Sequence, residues 1–304
     1  MREALEHGVW GVVATPFTGS TQDVDTDSLA TLVEHYESVG AVGLTVLGVF
    51  GEAAALSADE RALVLDTVTE ASDLPLVVGV TALATRPVVE EIRAARSVAG
   101  DRIRAFMVQA NSADPGVVTD HLQAVHRVTG ARIVLQDYPA ASGVAVSAAS
   151  VATVVRRCEF VAAVKAESPP TSVAVAELTA AVDVPVFGGL GGQGLLDELA
   201  AGAAGAMTGF SYPEALVACV RAWQHGGYEA ARDVLQPFLP LVNFEQQAKI
   251  ALAVRKELLL QRGLIRDAAV RAPAVGFPEV LRDSLRSHLS EASQACETLT
   301  AGRI

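Results

Sequence analysis

Ten residues near the middle of the chain, VAAVKAESPP over 161–170, put a lysine where water would not. Lys165 closes the apolar run Val161 to Val164, and Pro169-Pro170 stops the segment soon after. Desolvation in such a strand disfavours the ammonium form. A neutral amine left there can attack a ketone. Taken from this strand alone, a second reading stays open, in which Lys165 snorkels with its head in water.

Other turns offer groups that would serve the same chemistry. Gly48-Val49-Phe50-Gly51-Glu52 is a turn whose two glycines let backbone N–H groups approach a ligand closely. Gln136-Asp137-Tyr138-Pro139 supplies an amide and a phenol, and Gly188-Gly189-Leu190-Gly191-Gly192 a second glycine-rich turn. A 2-oxo acid needs an amine for its ketone, N–H donors for its carboxylate, and a proton carrier for the imine-to-enamine step. The candidates are Lys165 and Tyr138 for catalysis, with Gly48, Val49, Phe50, Gly51, Gln136, Gly189, Leu190 and Gly191 around the substrate.

The elements that must bring these turns together alternate regularly. Strands are predicted at Val9–Ala14, Val42–Leu47, Pro75–Val80, Arg104–Val108, Arg132–Gln136, Val161–Lys165, Val184–Phe187 and Gly205–Thr208. Helices fall between them, at Asp27–Val39, from a Ser57/Glu60 capping box, at Thr85–Val98 with Pro87 in its first turn, and near 114–128, 147–157, 171–182, 194–201 and 213–225. Eight strands with right-handed crossover helices predict an α/β chain folded as a (β/α)8 TIM barrel over 1–225. Helices alone follow (Tyr228–Leu239, Phe244–Arg262, Pro278–Ala292), read as a helical extension over 226–304 packed on the barrel or on a neighbour. In such a barrel catalysis sits at the carboxy ends of the strands, where all three turns lie.

Composition narrows the partners. In 304 residues, 51% are hydrophobic and 5% aromatic, which describes a packed core and not a disordered chain. The 23 basic against 35 acidic residues leave a net charge of −12 with no basic stripe, which argues against nucleic acid and anionic membranes. Cys158, Cys219 and Cys296 form neither a disulfide framework nor a zinc pattern. No run is long enough for a membrane span, and the amino-terminal residues lack a signal-peptide pattern, so a soluble, cytoplasmic protein is expected.

In order and spacing, ATPF, GVFGE, QDYPAASG, VKAESPP and GGLGG resemble the dihydrodipicolinate synthase and N-acetylneuraminate lyase family of class I aldolases, over almost the whole chain. The resemblance puts Lys165 where the family has its Schiff-base lysine. It implies a barrel with a helical extension, a homo-oligomer (tetramer or dimer) and action on pyruvate or a related 2-oxo acid, with an aldehyde in the condensation direction. Aldol cleavage or condensation is the activity it implies first. Dehydration of a 2-keto-3-deoxy acid through the same iminium is the alternative, as is a barrel that binds a 2-oxo acid without turnover.

The departures are specific. The family's two hydroxyl residues in the strand-two turn are replaced by Val49 and Phe50, which predicts a tighter, more apolar pocket. Its relay tyrosine position holds Gln136, with Tyr138 two residues on and on the same side of an extended strand. Tyr138 either takes over the phenol's role or packs as a strand-end aromatic. The second relay tyrosine has no counterpart among Val108-Gln109-Ala110-Asn111, and Ala140-Ala141 stand where the synthase has an arginine. The chain is therefore expected not to be the synthase itself. GLGGQG over 189–194 matches a dinucleotide fingerprint but lacks the acidic residue after the next strand, so no cofactor is inferred. His121 and His126 do not share a helix face and the other histidines are scattered, so no metal is inferred.

Overall fold

The predominantly apolar runs are what a parallel strand covered on both faces requires. In the computed structural model, which describes residues 4–302, they form β1 (Gly8–Val12), β2 (Gly43–Val46), β3 (Leu76–Gly79), β4 (Ile103–Gln109), β5 (Ile133–Asp137), β6 (Val161–Ala166), β7 (Val186–Gly188) and β8 (Gly205–Thr208). They pair in sequential order into a closed barrel, β8 returning to β1. Every residue of β5 and β6 is buried.

The outer helices are α1 (Thr26–Ser38), α2 (Ala58–Ala71), α3 (Thr85–Ala99), α4 (Pro115–Thr129), α5 (Pro139–Ser142), α6 (Ala148–Arg157), α7 (Thr171–Thr179) and α8 (Leu195–Ala200). Their starts are set by side chains that satisfy otherwise orphaned N–H groups: Asp25 on Ser28, Ser57 on Glu60 with the reciprocal bond from the glutamate, and Ser147 on Ser150. The four-residue helix α5 was not expected; Pro139 starts it directly after Tyr138.

Inward-facing side chains plug the lower barrel. Trp10, Val77, Met107, Val134, Ala163, Phe187 and Met207 form one buried cluster. Strand alternation then places Gln136 and Lys165 one step above Val134 and Ala163, at the carboxy-terminal face.

The carboxy-terminal region is helical as expected but divided differently. α9 (Pro213–Leu235) runs across the expected gap, with a break only at Gly227 (φ 67°, ψ −153°), a conformation suited to glycine. The single helix expected over Phe244–Arg262 is two, α10 (Leu239–Glu245) and α11 (Ala251–Gln261), because Gln246–Ile250 leaves helical geometry and Lys249 takes φ 72°. The last helix, α12 (Arg282–Thr300), starts and ends later than expected. Among the described residues no helix is long and apolar enough to cross a membrane.

Buried and part-buried ion pairs fasten this extension to the barrel's catalytic face. Lys256 Nζ donates to Glu52 and to the Ala269 carbonyl, and the Arg271 N–H reaches the other Glu52 oxygen at 2.8 Å. Arg262 pairs with Glu214, Arg266 with Asp25, and Arg271 with Glu60. Glu52, the last residue of the strand-two motif, is thus an anchor for the extension.

Candidate active site

A cavity of about 490 Å3 opens at the carboxy ends of the strands. β2 contributes Thr45 and, through the following turn, Gly48, Val49 and Phe50 to its wall; β5 contributes Gln136 and Tyr138; β6 contributes Lys165. Leu190 and Gly191 come from the turn after β7. Eight of the ten residues singled out from sequence therefore share one cavity. Gly51 and Gly189 do not line it. Gly189 lies directly behind Glu167, where a Cβ would fall 2.2 Å from Oε1.

Lys165 is 7% exposed and its Nζ lies 3.1 Å from Glu167 Oε2. The spacing Lys-x-Glu at the end of an extended strand puts both side chains on the same face. Gln136 is the direct cross-strand neighbour of Lys165 and donates from Nε2 to Glu167 Oε2 at 2.7 Å. The Glu167 carboxylate, 5% exposed, is held between an amine and an amide. Glu167 is not among the residues expected at the site, although its two-residue spacing from Lys165 is the signal that marks it in the sequence.

Val49–Gly51 is a single 3-10 turn in which the Gly51 N–H is already spent on the Gly48 carbonyl at 3.0 Å. The first N–H groups of such a turn, here those of Val49 and Phe50, have no acceptor inside it. These backbone donors are what the turn can offer an anion. Phe50 is held in turn by Arg255, whose guanidinium lies 4.1 Å from the ring centroid. Arg255 and Glu245 are fully buried and paired, and Glu245 also accepts from the Ser211 N–H.

The fingerprint GLGGQG lines the cavity instead of opening a nucleotide fold. Its Gly191 N–H donates to Thr208 Oγ at 2.8 Å, and the helix that follows, α8, has only six residues. Burial pushes the Tyr138 phenol above its ordinary range and the nearby Glu167 charge adds to this. Burial likewise pushes Asp137 up to about 6, with Glu167 contributing. Asn111 turns away from the site and donates to the Leu83 carbonyl. His121 is buried against Thr85, and His126 stacks on Phe160.

The barrel thus brings a lysine and a carboxylate into contact at the carboxy ends of its strands, the end at which enzymes of this fold carry their active sites. The comparisons say which kind. The dihydrodipicolinate synthetase family model matches residues 6–292, and the chain belongs to that family. It is 30% identical over 290 residues to an L-2-keto-3-deoxyarabonate dehydratase from Azospirillum brasilense, covering 91% of this chain and 90% of the relative. A putative mitochondrial 4-hydroxy-2-oxoglutarate aldolase from Coccidioides immitis is 26% identical over 237 residues, 75% of each protein. The crystal structure of a dihydrodipicolinate synthase from Rhodopseudomonas palustris superposes with a TM-score of 0.87 at 26% identity, covering 95% of this chain and 99% of that one. The protein is thus a lyase of this family, within a range that runs from aldolases to dehydratases.

Proposed function

We propose that the protein forms an imine between Lys165 and a 2-oxo acid and dehydrates a 2-keto-3-deoxy acid, with Glu167 as the proton carrier. The observation that carries this reading is the 3.1 Å contact between Lys165 Nζ and Glu167 Oε2. The amine adds to C2 of the substrate and the C2 oxygen departs as water, leaving an iminium. Glu167, next to the nitrogen, is also next to C3. It takes a C3 proton, and the C–H electron pair becomes the C2=C3 bond of an enamine. The enamine expels the C4 hydroxyl, to which Glu167 returns the proton, so that water leaves; hydrolysis of the conjugated iminium restores the amine. The N–H groups of Val49 and Phe50 receive the C1 carboxylate, from β2, four strands across the closed barrel from Lys165 on β6. Gln136 keeps Glu167 aimed at the reacting carbons.

Aldol cleavage is the second reading. It shares the iminium but needs its base at the C4 hydroxyl, one carbon further out, and a relative named as an aldolase supports it. Tyr138, on the same wall, is the group for that role. Synthase activity itself is not proposed, because Ala140 and Ala141 offer no cation for its aldehyde partner. The reading carries with it a small-molecule substrate, a cytoplasmic enzyme and a homo-oligomer, the last testable by light scattering.

Two measurements test the core of it. Pyruvate followed by borohydride should add a single adduct at Lys165 by peptide mass, and Lys165→Met should abolish it. In D2O the enzyme should exchange the pyruvate methyl protons, read by proton NMR, and Glu167→Gln should stop the exchange. An adduct elsewhere, or exchange that survives Glu167→Gln, would overturn the assignment.

A further inference from the structure

The outer wall of the cavity is not made by the barrel. Gln246, Ala248, Lys249, Ala251 and Leu252, from the link between α10 and α11 and the start of α11, face the glycine turn after β7. Three observations on this wall converge. The Gln246 Nε2 is buried without a hydrogen-bond partner, and it packs so closely on Gly191 that a Cβ there would lie 2.0 Å away. Lys249 holds φ 72°, a backbone conformation that L residues rarely adopt and that persists where its surroundings over-determine it. Among the cavity's lining residues the charges are Lys165, Glu167 and Lys249; the first two neutralise each other, which leaves Lys249 uncompensated.

Lysine is also scarce. The chain has three lysines against twenty arginines. One is Lys165 in the cavity, one is Lys256 in its buried pair with Glu52, and the third is Lys249 at the cavity mouth.

Resting on the imine reading above, we infer that Gln246 and Lys249 form a distal anion subsite, and that the substrate is a 2-oxo acid with a second carboxylate at its far end. C1 is taken by the strand-two turn and C2 by Lys165, so the rest of the molecule points outward toward this wall. A neutral hydroxymethyl terminus would leave the Lys249 ammonium unanswered, whereas a carboxylate accepts from both the ammonium and the Gln246 amide. The cavity, at about 490 Å3, is within the range of pockets that enclose small organic ligands and has room beyond a pyruvate-sized fragment.

The test uses imine capture, which needs no knowledge of the natural substrate. Wild type, Lys249→Met, Lys249→Glu and Gln246→Leu are titrated with 2-oxoglutarate and with 2-oxopentanoate, and with the pair one carbon longer, 2-oxoadipate and 2-oxohexanoate. Borohydride fixes the adduct at Lys165, and each half-saturation is divided by that for pyruvate, which has no tail. In one of the two pairs wild type should capture the diacid at about fivefold lower concentration than the monoacid, the scale of one partly solvated ion pair, and added salt should shrink the ratio. Lys249→Met should bring the ratio close to one, leaving only the share of the Gln246 amide, Lys249→Glu should invert it, and Gln246→Leu should reduce it. A wild type indifferent to the second carboxylate in both pairs, or a preference undiminished in Lys249→Met, overturns the subsite alone. Absence of any pyruvate adduct in wild type overturns the imine reading and the subsite with it.

Discussion

The guanidinium of Arg255, in α11, lies 4.1 Å from the ring centroid of Phe50, in the turn after β2. A residue of the extension thereby holds the turn proposed to receive the substrate carboxylate. As the sequence predicts, no hydroxyl stands in this turn; it carries an aromatic ring with a buried cation stacked on it. Stacking of this kind contributes roughly 0.5–2 kcal/mol. Phe50→Leu keeps the site apolar but removes the ring, and should raise the half-saturation for pyruvate capture about fivefold. An unchanged value would show that the turn holds its shape without Arg255.

Val49 is 47% exposed, so a hydroxyl can be placed there while the Phe50 ring and Arg255 keep their stacking. Val49→Thr should lower the half-saturation for pyruvate by about fivefold, one added hydrogen bond of ~1 kcal/mol. No change would mean that the backbone N–H groups already satisfy the carboxylate.

Glu167 and Tyr138 can be ranked. General acid–base catalysis contributes about 10²- to 10⁴-fold, so Glu167→Gln should cut turnover by at least about a hundredfold. Tyr138→Phe should cost about tenfold or less, because burial and Glu167 push its phenol up and make it a poorer proton donor at neutral pH. Steady-state rates on a panel of 2-keto-3-deoxy acids, with imine trapping to show that capture persists, check the order. A reversed ranking would favour the aldolase reading.

Glu198, in α8, is 1% exposed and is pushed up to about 7, by burial first and then by the charges of Glu167 and Asp197. The folded chain therefore keeps a proton that the unfolded chain has released over the interval between the ordinary carboxylate value, 4.5, and 7. Stability from this group is full below that ordinary value and is lost as pH rises through about 7, a loss on the order of 3 kcal/mol. Urea titrations should find Glu198→Gln close to wild type at low pH and more stable than wild type at pH above about 8. Equal stability of the two proteins at the alkaline end would contradict this assignment.

Glu52 and Lys256 join the strand-two turn to α11 in a fully buried pair. Removing one partner leaves the other charge buried and unpaired, which costs about 3–5 kcal/mol. Glu52→Gln should lower unfolding free energy by that amount, and replacing both (Glu52→Leu with Lys256→Met) should recover a substantial part. A double variant no more stable than the single would show that the pair is more than charge compensation.

Residues near in sequence were legible in the sequence, and partners brought together by the fold were not. Lys165 stands out because one strand makes it conspicuous, and the eight-fold alternation of apolar runs and capped helices leads directly to the barrel. Those signals are apolar runs of strand length and a helical spacing of 3.6, which local backbone geometry imposes. Closing the barrel in order then brings the strand-end turns together, and so eight of the ten chosen residues met in one cavity. Glu167 was within reach of the same logic, two residues from the lysine. Arg255, Gln246, Lys249 and the Glu52–Lys256 pair were not. Glu52 and Lys256 are 204 residues apart, and the entropy of closing a loop grows too slowly with length to mark one distant partner over another. Which of the extension's charges reach the barrel mouth depends on where its helices break and fold back, at Gly227 and at Lys249, and packing in three dimensions decides that.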